Sequence, residues 1–274
     1  MLLTAAVVPG PPACVAELMG AAAHELDDLR DAADRAVFGV LSDLVTAESA
    51  SPSSDSRPAG SRPVQLVIVG PGEPREFDAT GPVSFAAFGR DVVLPALIEG
   101  QPSDAGLPTP IMVARYLASR DIAAHPGHAR LWGSARWIIT TGGDAKALGD
   151  QLGADGTRVG LIMVADGAAC HGPKAPRAED ARAGVYGESV CAALASGQPS
   201  RLADIDVELS QELGATWAQI WPVWVAAAAA TDSGADRADP ADPAGVGGAE
   251  GIGEVLWTGA PYGVGWAVAS WRRL

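Results

Sequence analysis

The chain has 274 residues, 48 % of them hydrophobic, enough for one large α/β core. Its 33 acidic residues against 19 basic ones give a formal charge of −14. With no basic run anywhere, that charge repels nucleic-acid phosphates and anionic membrane surfaces, so neither is an expected partner. Cys14, Cys170 and Cys191 are too few and too scattered for a disulfide framework. Free thiols fit a reducing cytoplasm, and a cytoplasmic protein is the expectation. Residues 1–9 carry no basic n-region and are too short to span a bilayer, so they read as a first strand rather than a signal or anchor.

That strand, Leu2–Val8, ends at Pro9-Gly10-Pro11-Pro12. A long helical stripe follows, with Val15, Leu18, Met19, Ala22, Leu26, Leu29, Ala33, Val37, Val40 and Leu44 recurring every three or four residues. Asp27, Asp28, Arg30, Asp31 and Asp34 fall off the stripe and read as a solvated face, and Gly20 is a point where the segment divides. Residues 47–62 form a polar Ser/Pro-rich loop. Val64–Val69 is a second strand, ending at Gly70-Pro71-Gly72-Glu73-Pro74. Residues 75–107 give no clear period, apart from a short helix expected near Arg90–Leu97.

A helix is expected over Pro110–Arg120, with proline at its start. Trp137–Thr141 is a third strand, Gly143–Leu152 a helix, and Arg158–Ala165 a fourth strand bounded by Asp166-Gly167. Glu179–Ser196 and Glu208–Ala230 are helical, the second interrupted at Pro222. Residues 232–250 are Asp/Ala/Gly/Pro-rich and read as a disordered loop. Glu254–Thr258 and Val264–Ser270 are two closing strands. Alternating strands and helices predict a single three-layer α/β/α domain over 1–274 with a mostly parallel central sheet. In such folds ligands bind beyond the carboxyl ends of the strands. Pro9–Pro12, Gly70–Pro74 and Asp166–His171 occupy that position.

Three stretches carry a family resemblance. Ala5–Pro12 (AAVVPGPP) is similar to the opening strand and Pro-His-Pro-Pro of the class III extradiol ring-cleavage dioxygenases, the LigB-like catalytic subunits, with Gly10 at the histidine position. Leu66–Pro74 (LVIVGPGEP) resembles their second strand, which ends in Ser-Pro-His, with Gly72 at the histidine position. Val164–Pro176 (VADGAACHGPKAP) resembles their Ala-Ser-Gly-Asp-Leu-Ser-His stretch, with Ala165, Gly167 and His171 in register. The helix ending ALASGQP and the closing APYGVGWAVASW extend the likeness over nearly the whole chain.

The resemblance implies Fe(II) held by two histidines and a carboxylate, with a further histidine moving protons. Glycine at 10 and 72 removes both histidine ligands. Glu212 is the acid nearest the position expected for the carboxylate, before Trp217, and its other reading is a solvated helix residue. His171 is the surviving family histidine and the expected acid/base or ligand-binding group; its bland reading is a loop histidine bonded to backbone.

The expectation is therefore a degenerate dioxygenase homologue without metal. It would bind a small molecule at Gly10, Gly72, Asp166 and Glu212, with His171 as the chemically active group. The alternative is an active Fe(II)-dependent ring-opening enzyme using His171. No cofactor is expected in the first case and Fe(II) in the second. A homodimer is a further expectation.

Other candidates weigh less. His125 and His128 have H-x-x-H spacing in a Pro/Gly loop, but two donors do not complete a metal site. Cys170 beside His171 suggests a thiolate–imidazole pair, although adjacent residues seldom face each other. Trp217, Trp221 and Trp224 form an i, i+4, i+7 stripe that reads as core or subunit interface. Glycine at two strand ends also exposes backbone N–H groups that suit a small anion.

Overall fold

The computed structural model describes residues 1–50, 62–102, 106–230 and 249–274. In chain order these form β1 (Leu2–Val8), α1 (Ala16–Met19), α2 (Asp27–Ser49), β2 (Val64–Pro71), β3 (Arg75–Phe77), β4 (Val83–Ser84), β5 (Val93–Leu94), α3 (Thr109–Ala124), α4 (Ala129–Gly133) and β6 (Arg136–Thr140). They continue with α5 (Gly142–Ala154), β7 (Arg158–Val164), α6 (Arg182–Ala195), α7 (Val207–Glu212), α8 (Trp217–Ala229), β8 (Gly251–Gly259) and β9 (Trp266–Arg273). No described helix is long and apolar enough to cross a membrane.

Seven strands pair in the order β3-β6-β2-β7-β1-β9-β8. The inner four, β6-β2-β7-β1, are parallel, and β3, β9 and β8 add antiparallel edges, so the sheet is mixed rather than mostly parallel. The central strands are apolar along their whole length because both faces are covered. Ala6, Val8, Ile68, Ile162 and Val164 pack on one face beneath α2 and α3. Val7, Val69, Leu161 and Met163 alternate to the other, beneath α5, α6 and α8.

Several expectations shift. No helix forms near Arg90–Leu97; that stretch holds β5, paired with β4 through Val83↔Leu94. Gly20 does divide the first helical segment, at φ +56, before a 3-10 stretch over Gly20–Leu26. That stretch folds over Arg30, whose guanidinium donates to the Ala23 carbonyl and to Asp27, so Arg30 is only 3 % exposed and not part of a solvated face. α8 runs through Pro222 without interruption, with Trp217, Trp221 and Trp224 all buried along it. Ala47–Ser49 belong to α2; residues 51–61 and 232–248, the bulk of the two expected loops, lie outside the described residues.

Glycine allows the close contact between α5 and α8. A β-carbon at Gly149 in α5 would strike the Val223 carbonyl oxygen and approach Ala226 Cβ to 2.8 Å in α8. Gly39 in α2 has nothing within 4 Å of that position. Gly39→Ala should therefore stabilise the fold by about 0.5–1 kcal/mol through helix propensity. Gly149→Ala should destabilise it by a net ~1–2 kcal/mol, because overpacking exceeds the same propensity gain. Chemical denaturation of the two variants beside wild type measures both signs.

Candidate functional site

The parallel strands β1, β2 and β7 point the same way, and Gly10, Gly72 and Asp166 follow their carboxyl ends. β7 lies between the other two, so the tips of β1 and β2 are roughly 10 Å apart, two strand spacings. Asp166 stands in the gap. Its backbone is clamped from the α7–α8 turn: Asp166 N–H donates to Thr216 Oγ1 at 2.9 Å, and the Thr216 and Trp217 N–H groups donate to the Asp166 carbonyl at 2.8 and 3.2 Å. The Trp217 indole N–H adds a 3.1 Å bond to the Ala165 carbonyl.

Among the described residues the Asp166 carboxylate accepts one hydrogen bond, from Gly10 N–H at 3.1 Å. Burial pushes its pKa up to about 6, and the Gly10 bond opposes that rise. Nearby Cys14 is buried, and its thiol pKa is driven far up, by burial first and by the Asp166 charge second, while Arg30 pulls it down. Cys14 is thus a protonated, inert thiol.

The two glycines differ. At Gly10 a β-carbon would sit 3.4 Å from Val164 Cγ1 and 3.6 Å from Asp166 Oδ2, which is ordinary contact, so the position is sterically open. Gly72 has φ +141 and donates its N–H to the Thr140 carbonyl at 3.2 Å. A β-carbon there would come within 2.9 Å of Ile139 Cγ2. A side chain at 72 is disfavoured by both backbone and neighbour. The tips therefore offer the Asp166 carboxylate and no nitrogen ligand from residues 10 and 72, which does not fit an Fe(II) centre of two histidines and a carboxylate.

His171 lies elsewhere. Its N–H donates to the Gly263 carbonyl at 3.0 Å, and its ring rests against Gly265, where a β-carbon would be 2.9 Å from Nε2. The ring lines an open pocket of about 260 Å³ whose walls are Gly184, Gly187, Glu188 and Cys191 of α6, the aromatic rings of Trp217 and Trp266, and the Thr258–Ala260 end of β8. Nε2 is buried without a partner among the described residues, and burial lowers the imidazole pKa, so the ring is neutral near pH 7. That wall does not include Gly10, Gly72 or Asp166.

Glu212 is on the surface, its carboxylate bonded to Arg182 at 2.8 Å, and Arg182 also holds Asp180. Cys170 turns its sulfur to the Leu213 carbonyl at 3.6 Å while the His171 ring faces Gly265, so the two do not pair. The tryptophan stripe is internal: Trp217 stacks on Trp221, and Trp224 meets Trp271 edge-on. The structure thus joins Gly10 with Asp166, sets Gly72 one strand beyond, and separates His171 and Glu212 from them. The pocket wall from α6 and β8 was missed in sequence; the only local signal is the pair of glycines three apart in a helix.

Asp166 has an ordinary value of 3.8 and a folded value near 6, so the folded state holds its proton more tightly. Its contribution favours folding below about pH 4 and is lost as pH rises to about 6, by on the order of 3 kcal/mol. Asp166→Asn keeps an acceptor for Gly10 N–H. It should be more stable than wild type near neutral pH and should lose that advantage near pH 4, as read from urea midpoints across the range. Compared with protein-family models and with curated proteins, the chain matches none.

Proposed function

We propose that this protein is a metal-free relative of the class III extradiol dioxygenases. In this reading it binds a small, flat molecule in the His171 pocket of a cytoplasmic, catalytically silent or regulatory protein. The observation that carries it is the pocket wall itself. α6 presents Gly184 and Gly187 to the space, and neither has an atom within 4 Å of where a β-carbon would lie. Each helical glycine costs about 1 kcal/mol relative to alanine, and its effect here is to leave room. Trp217 and Trp266 line the same space, and aromatic side chains of this kind suit contact with a ring. The His171 ring adds an imidazole to that wall, its Nε2 buried against Gly265, and a mostly apolar wall with few polar groups is the usual makeup of a small-ligand site. Glu188, Cys191 and Thr258 add polar atoms at the rim, with Cys191 Sγ and Thr258 Oγ1 3.6 Å apart.

The volume suits a single ring with one or two substituents rather than a dinucleotide. The glycines at the strand tips support the loss of the iron centre, since Asp166 alone cannot hold Fe(II) in the geometry that ring opening needs.

A panel of monocyclic phenols, screened by tryptophan fluorescence and then by calorimetry, tests the reading. The expected result is a binder whose affinity falls more than about tenfold in Gly187→Leu, which fills the pocket, and in His171→Ala, with no loss of stability in Gly187→Leu. Incubation with Fe(II), oxygen and catechols should yield no ring-opened product. Iron-dependent ring opening, or a binder indifferent to both substitutions, would overturn it.

A further inference from the structure

Away from the strand tips, three side chains converge where α3 ends. Asp121 lies in its last turn, His125 caps it, and His128 closes the 3-10 turn Pro126–His128. One donor atom from each lies within 4.8 Å of the other two. α3 begins beside Gly70 at the carboxyl end of β2 and ends before β6 begins, so this cluster sits at the opposite edge of the sheet from Asp166.

The contacts are unequal. His128 Nδ1 is 3.1 and 3.0 Å from the two Asp121 oxygens, in hydrogen-bond geometry. The Trp132 indole N–H donates to Asp121 Oδ2 at 2.8 Å. His125 Nδ1 is 3.3 Å from Asp121 Oδ1 but lacks the alignment of a hydrogen bond, and it is buried with no hydrogen-bond partner among the described residues. Two imidazole nitrogens therefore aim at one carboxylate. A bare Nδ1 carries a lone pair, which repels carboxylate oxygen unless a cation lies between them. A proton serves for His128; the geometry at His125 does not suit one.

We propose that Asp121, His125 and His128 bind a divalent first-row transition metal of the zinc type, with a fourth coordination position open to solvent. Two imidazoles and a carboxylate favour zinc, copper, nickel or cobalt over magnesium or calcium. Bonds of about 2.0–2.1 Å place tetrahedral donors about 3.3 Å apart, inside the span of this cluster. Asp121 and His128 are buried and held, Asp121 by the outer indole bond that commonly orients a metal-binding carboxylate. The His125 side chain is 42 % exposed, which provides both the adjustment and the entry path. The Phe38 ring, 4.5 Å from His125 and 5.9 Å from His128, flanks the site. No residue here belongs to the His171 pocket, so either proposal stands without the other.

Metal-stripped, tag-free protein titrated with Zn(II) by calorimetry tests this, with Cu(II) electron paramagnetic resonance as a second readout. Wild type should bind one Zn(II), melt at a higher temperature when loaded, and show coupling of Cu(II) to two nitrogens. His125→Ala leaves the Asp121–His128–Trp132 contacts intact. It should fold normally and lose more than about tenfold in affinity, at least the loss that an outer-sphere change produces. Failure of wild type to bind stoichiometric Zn(II), undiminished binding by His125→Ala, or a Cu(II) spectrum without nitrogen coupling would overturn the proposal.

Discussion

The Asp166 carboxylate accepts the Gly10 N–H at 3.1 Å, and through that contact the end of β7 is joined to the turn that leaves β1. The same residue's backbone is gripped by Thr216 and Trp217, which fixes the start of α8 and the tryptophans along it. One position thus ties together the central strand, its neighbour and the helix layer on one face. The cost is a half-buried acid with one hydrogen-bond donor among the described residues, and its pKa is raised to about 6. Strand ends in such sheets commonly carry this kind of tension because ligands meet the protein there.

Two distinct environments flank this tie. Toward α2 lie Asp166, Cys14 and the half-satisfied Arg30, closely packed. Toward α6 the loop after β7 turns His171 away into a space lined by indoles and helical glycines. The loop is held by bonds running between Gly167 or Ala168 and Gly265, so the orientation of His171 follows from the pairing of two glycine-rich segments. Gly10 and Asp166 belong to the first environment, and the open volume lies in the second.

Much of the frame was legible because buried parallel strands are apolar throughout and end in Gly/Pro turns. β1 and β7 fall within a residue of their expected limits, and Pro110 marks the start of α3. β3, β4 and β5 are two or three residues long, too short to show an alternation, so residues 75–107 gave only a helix that does not form. Arg30 was misplaced because helical periodicity cannot see the 3-10 stretch folding back over it. Asp166 and His171 were found from their place after a strand, but the partners that define each come from far along the chain. Asp121 stands four residues before His125, a helical neighbour overlooked because the histidines were read as loop.

At the tips of β1, β2 and β7 the Asp166 carboxylate is a weakened acid, and we propose that it binds no metal. Carboxyl-carbon NMR of aspartate-labelled protein reads this directly, with equimolar Mn(II) as a paramagnetic probe. The account predicts an Asp166 signal that titrates near pH 6 and stays sharp after Mn(II) is added. A signal titrating near the ordinary value, or one broadened away by stoichiometric Mn(II), would contradict it.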